Sequence, residues 1–233
     1  MLVISLAAIL EEATASTKNM TGNITDLRHL LEPANLNKLR DFAKVYCFLA
    51  FHAKGDPAIV EYLRSGTLPD DSGPDIMVIF TLDEPAPIAV PITERSFQPW
   101  AEIDVGRHPA YQMVRALFEG KPVPPLPGLV IFDDLTADAR ALYVSLADLD
   151  TAYDVRKRLR QIFTDVAYAT GEAKPGKILN YLSVRLRRHA INHESTESKP
   201  INEWLLQSFQ VARANYGDIV STVSLASNFG IVR

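Results

Sequence analysis

The chain has 233 residues, a net charge of −4, 47% hydrophobic and 22% charged residues, and a single cysteine. This length suits one domain with appendages or two small ones, and this composition excludes a low-complexity or disordered polymer. One thiol excludes an intrachain disulfide, a CxxC redox pair and a cysteine-rich zinc site, and makes a reducing cytoplasm the default expectation.

The first ten residues, Met1 to Leu10, are apolar apart from Ser5, but no Lys or Arg precedes them and Glu11-Glu12 follows at once. Although Ala13-Thr14-Ala15 has the small residues of a cleavage site, the pattern favours a short helix or strand that packs on the body or on another subunit over a signal peptide. Ile24, Leu27, Leu30 and Leu31, then Leu36, Leu39, Phe42 and Ala43, predict two short helices broken at Pro33. Residues 1–44 are therefore expected to form an N-terminal helical segment.

Val45 to Phe51 is apolar on both faces, the mark of a central strand covered on both sides. Asp56-Pro57 reads as an N-cap followed by Pro at the first helical position, with Ile59, Val60 and Leu63 inward and Gly66 at the end. Residues 70–74 are expected as a surface loop and Ile76 to Phe80 as a second buried strand. Four prolines between 83 and 108 predict an extended excursion, with one edge strand near 88–92. Pro109 opens a helix with Met113, Val114, Leu117 and Phe118 inward, closed by Gly120. Pro127 then stands directly before the strand Leu129 to Phe132. Ala141 to Leu146 is a further strand, and Asp150 or Thr151 caps a helix whose stripe is Val155, Leu159, Ile162, Phe163 and Val166. After a linker at 171–176, Ile178, Leu179, Leu182 and Leu186 mark a tail helix. A polar loop at 193–199 and a helix from Pro200 follow, while 219–232 shows no assignable pattern.

The order strand, helix, strand, helix, Pro-strand, strand, helix over 45–169 resembles the thioredoxin-like fold, an α/β architecture with a mixed sheet and helices on both faces. Phe51 to Ala58 stands where that family carries its strand-to-helix redox loop, and Leu126-Pro127-Gly128 is similar to its cis-Pro motif. The resemblance places Gly55 and Ala58 at the two cysteine positions, so the thiolates that disulfide exchange requires are missing. Cys47 falls in mid-strand. No dithiol oxidoreductase activity and no cofactor are expected. Residues 170–233 would be a C-terminal helical extension.

Two clusters are candidates for chemistry. His52, Lys54 and Asp56 lie on the loop after the first strand, where open α/β sheets bind ligands, and with Pro127 they outline a candidate pocket. Nine basic residues against two acidic ones between Arg156 and His193 give that stretch +7 and leave −11 for the rest. Within it Arg156, Arg160, Arg185, Arg187 and Arg188 form a candidate anion patch, but little aromatic interleaving argues against single-strand binding. His189 and His193 are four apart, a spacing that can bind a metal if the helix persists, although a solvated helix end is the simpler reading, and no metal is expected. The leading expectation is an interaction or assembly module, a homo-oligomer or a protein partner, with no membrane contact. The alternatives are an anion- or nucleic-acid-binding module through 156–193, and an enzyme with its site near His52 and Pro127.

Overall fold

A computed structural model describes residues 2–5, 43–52, 55–80, 109–118, 121–134, 140–174 and 176–197. Eleven elements follow in chain order: β1 (Leu2–Ser5), β2 (Val45–Ala50), α1 (Pro57–Arg64), α2 (Leu68–Ser72), β3 (Ile76–Phe80), α3 (Pro109–Leu117), β4 (Gly128–Phe132), β5 (Arg140–Ser145), α4 (Ala152–Glu172), α5 (Ile178–Arg188) and β6 (Glu194–Glu197). The strands form one mixed sheet in the order β1-β3-β2-β4-β5-β6. β1 and β2 both run parallel to β3, whereas β4, β5 and β6 each pair antiparallel with the preceding strand in that order.

All six residues of β2 are buried, because the sheet is covered on both faces. On one face Val45, Cys47 and Leu49 align with Ile76, Val78 and Phe80 of β3, and with Leu129 and Ile131 of β4. This face packs against the apolar stripes of α1, α4 and α5. On the other face Tyr46, Phe48, Val130, Phe132 and Tyr143 are buried, together with Ala110, Val114, Leu117 and Phe118 from α3 and the residue after it. Phe118 meets Tyr143 edge to face at 5.8 Å. The helix α4 buries the whole predicted stripe from Val155 to Val166, each side chain contributing about 1.5–3 kcal/mol by leaving water. Thr151 is its N-cap, accepting from the Asp154 backbone N–H at 3.1 Å.

Several expectations change. Leu2–Ser5 is a sheet strand, so the first residues of 1–44 are not helical. The predicted loop at 70–74 begins as helix: Leu68 is buried, Pro69 lies in the first turn, and α2 runs to the buried Ser72. α4 continues through Gly171, so the linker starts only at Ala173. The polar run Glu194–Glu197, expected as a loop, is an edge strand on β5, where main-chain pairing needs no apolar side chains. α5 ends at Arg188 and Ala190 takes φ 54°, so His189 and His193 do not share a helix face. The helices expected over 24–43 (apart from Ala43, which is buried and not helical), the excursion and edge strand over 83–108, Met113 as a side chain, Gly120, the helix from Pro200 and the end at 219–232 lie outside the described residues. Among the described residues no helix is long and apolar enough to cross a membrane.

Candidate functional site

The first candidate region forms where β2 ends beside the start of β4. Ala50 pairs with Gly128, which brings the loop after β2 next to Leu126 and Pro127. The Leu126–Pro127 peptide is cis. Leu146 N–H donates to the Pro127 carbonyl at 2.8 Å, and the Tyr143 hydroxyl donates to the Pro125 carbonyl at 2.6 Å. Gly128 is required here, since a Cβ would fall inside the Tyr143 phenol. Burial, and then the charges of Glu194 and Asp56, push the Tyr143 phenol up, so it stays protonated and remains a donor.

Asp56 does not cap α1 with its side chain. Its carboxylate instead accepts the His52 N–H at 2.6 Å, while Asp56 N–H donates to the His52 carbonyl at 2.8 Å. Gly55 N–H donates to His52 Nδ1 at 3.0 Å, which leaves the ring proton of the neutral form on Nε2. Burial raises the Asp56 pKa, opposed by the His52 backbone N–H and by the His52 charge. The groups a proton-transfer site would use are thus committed to closing their own loop. Lys54 lies outside the described residues. Ala58 is buried in the first turn of α1. Cys47 is fully buried in β2, and burial pushes its thiol up, away from the thiolate form.

The second region is the α4–α5 layer. Asp165 is completely buried. Its Oδ1 accepts from Arg185 Nε at 2.9 Å and its Oδ2 from His189 Nδ1 at 2.7 Å. The Gln161 amide nitrogen lies 2.9 Å from the same ring nitrogen. Arg185 also stacks over Tyr168, 3.9 Å from the ring centroid. On the other flank of α4, Asp71 of α2 accepts from Arg156 Nε at 2.9 Å and Nη2 at 3.2 Å, with Arg160 Nε 3.4 Å away and the Tyr62 hydroxyl donating at 3.2 Å. Two buried carboxylates therefore pin α4 to its neighbours, and cations outnumber them.

The structure divides the predicted anion patch. Contacts of Gln161, Asp165 and Tyr168 with Arg185 and His189 make α4 and α5 antiparallel neighbours, so Arg156, Arg160 and Arg185 border one surface. Arg188 lies three residues from Arg185 on the adjoining exposed flank. Arg187, four residues from Ser183, falls on the opposite flank, where the Ser183 hydroxyl meets His193 Nε2 at 2.7 Å. His193 Nδ1 donates to the Ile191 carbonyl at 3.1 Å, so Nε2 accepts the serine proton. Ser183 is mid-helix, where the neighbouring N–H groups are used by the helix itself, so no donor pair stands ready for an oxyanion. That contact ties α5 to the turn before β6. Among the described residues no three metal-ligating groups come together.

Sequence reasoning missed Asp71, Asp165, Tyr62 and Tyr143. Only Asp165 carried a signal: it sits inside the apolar stripe, three residues after Ile162 and four before Ala169, where a carboxylate must be buried and paired. Comparison of the chain with protein-family models, with curated proteins and with solved structures finds no match.

Proposed function

We propose that this chain is an interaction and assembly module on a thioredoxin-like scaffold without thiol chemistry. The strand order β1-β3-β2-β4-β5, with β1, β3 and β2 parallel and the next two antiparallel, supports the scaffold. So do a helix directly after β2, helices on both faces and a cis-Pro at the entry to β4. β6 and α5 extend it beyond the usual unit.

One observation carries the functional reading. The loop facing Pro127 holds Gly55 and Ala58 where exchange chemistry needs thiols, its Asp56 carboxylate accepts the His52 backbone N–H, and its His52 ring accepts the Gly55 backbone N–H. The sole cysteine is sealed in the sheet. A junction without a thiol can shape a surface but cannot attack a disulfide. α5 also leaves Tyr181 and Val184 about half exposed, apolar area that a second chain can cover. Light scattering on the full chain across a micromolar concentration series tests the assembly half. A dimer or larger species is expected, and a strict monomer throughout overturns it. A disulfide-reduction assay tests the other half: the rate should match the free thiol reductant alone, and acceleration by catalytic amounts of the protein sinks it.

A further inference from the structure

We infer that the outer face of α4, with the adjoining flank of α5, binds single-stranded nucleic acid. Three features converge there. The first is charge. Lys157 and Arg188 are exposed and have no ion-pair partner among the described residues. Arg156 and Arg160 share the buried carboxylate of Asp71, with the exposed Asp70 also near Arg156, and Arg185 and His189 share Asp165. Since both pairing acids are buried, the exposed Lys157, Arg160 and Arg188 give this surface more positive charge than Asp70 cancels.

The second feature is preorganisation. Arg185 hydrogen-bonds Asp165 through Nε at 2.9 Å, and among the described residues no hydrogen bond from its Nη groups is found. A guanidinium held in this way, and stacked on Tyr168, loses less freedom when it meets a phosphate.

The third feature is the aromatic one that the linear sequence hid. Tyr153 is 73% exposed and Tyr168 51%. They bracket Lys157, Arg160 and Thr164 on the outward stripe of α4, about 22 Å apart along the helix at 1.5 Å per residue. Tyr153, Arg156, Lys157, Arg160, Gln161 and Thr164 line a shallow depression of about 300 Å³. Cations that track a phosphate backbone, between rings on which bases stack, are the two components of single-strand recognition. An acidic peptide has no use for the exposed Tyr153 ring, or for the part of the Tyr168 ring that the stacked Arg185 guanidinium leaves open, and a duplex keeps its base faces stacked away from them.

The test is fluorescence anisotropy of a labelled single-stranded oligonucleotide titrated with the full chain. If Lys157, Arg156, Arg160 and Arg188 neutralise about four phosphates, affinity should fall about fifty-fold between 50 and 200 mM salt. The double variant K157E/R188E should bind at least tenfold more weakly. Neither residue touches Asp71 or Asp165, so the variant's thermal transition should match the parent's, which separates lost binding from lost folding. Y153A should weaken binding about fivefold or more through lost stacking, with the salt slope unchanged. Four outcomes overturn the inference: no binding at the lowest salt, equal affinity for duplex or for polyglutamate, unchanged binding by K157E/R188E, or unchanged binding by Y153A. Arg188 shares the exposed stripe of α5 with Tyr181 and Val184, so the titration is run at concentrations where light scattering has fixed the oligomeric state, and Y153A, on α4, separates failure of this inference from failure of the assembly reading.

Discussion

The junction beside Pro127 and the ridge along α4 draw on the same kinds of side chain, a histidine and a carboxylate in each, and use them in opposite ways. At the junction the Asp56 carboxylate takes a backbone N–H, and His52 Nδ1 takes another, so the polar groups are spent on holding a loop closed. On the ridge Asp165 is spent on Arg185 and His189, and Asp71 on Arg156 and Arg160, so positive charge is left over at the surface. The lesson is one of stoichiometry: a surface is available for binding in proportion to the charge that its own buried partners leave uncancelled.

The largest effect should come from removing the buried pin. Asp165→Asn removes the buried charge and replaces one of its two acceptor oxygens by a donor, so Arg185 and His189 can no longer both be satisfied. It should cost about 2–3 kcal/mol in urea denaturation, less than for a wholly buried pair because both partner side chains are partly exposed and can rehydrate. Asp71→Asn should cost less, since Arg156 and Arg160 are more exposed than Arg185. Equal losses at the two sites would break the ranking by burial.

At the junction, Gly128→Ala forces Tyr143 aside and should cost about 1–3 kcal/mol by overpacking. Combined with Tyr143→Ala it should be less than additive, because the clash it creates would be gone. Tyr143→Phe removes only the bond to the Pro125 carbonyl and should cost about 1 kcal/mol. A loss several times larger would mean that this one hydroxyl governs the whole loop.

The smallest effect concerns pH. Burial raises Asp56 and Asp133 above 3.8 in the fold, so the folded chain holds protons that the unfolded chain releases. Their contribution to stability is therefore greatest below about pH 4 and falls as pH rises through the raised folded values. Asp56→Asn should flatten that decline while Asp133 keeps part of it. A steeper decline in the variant would contradict the assigned direction.

Much of the sheet was legible from local pattern alone. Strands such as Val45–Ala50 and Ile76–Phe80 are apolar on both faces, and the α4 stripe repeats at helical spacing, so hydrophobic periodicity determined their type and near bounds. Leu68–Ser72 and Glu194–Glu197 were not legible. The first is a helix because Leu68 is buried and α2 packs against α4, and the second a strand because β5 offers an unpaired edge. Neither cause is present in the segment itself.

The candidate sites follow the same division. Sequence by itself determined the residue types: one thiol outside any redox spacing, a proline before a strand, and an excess of basic residues between Arg156 and His193. Only the tertiary structure decided which charges cancel. Asp71 and Arg156 are 85 residues apart along the chain, and Asp165 meets Arg185 only because α4 and α5 lie antiparallel. Pairing of this kind depends on distances of a few ångströms set by packing, and those distances select Lys157 and Arg188, rather than Arg187, as the charge left to meet a ligand on the α4 face.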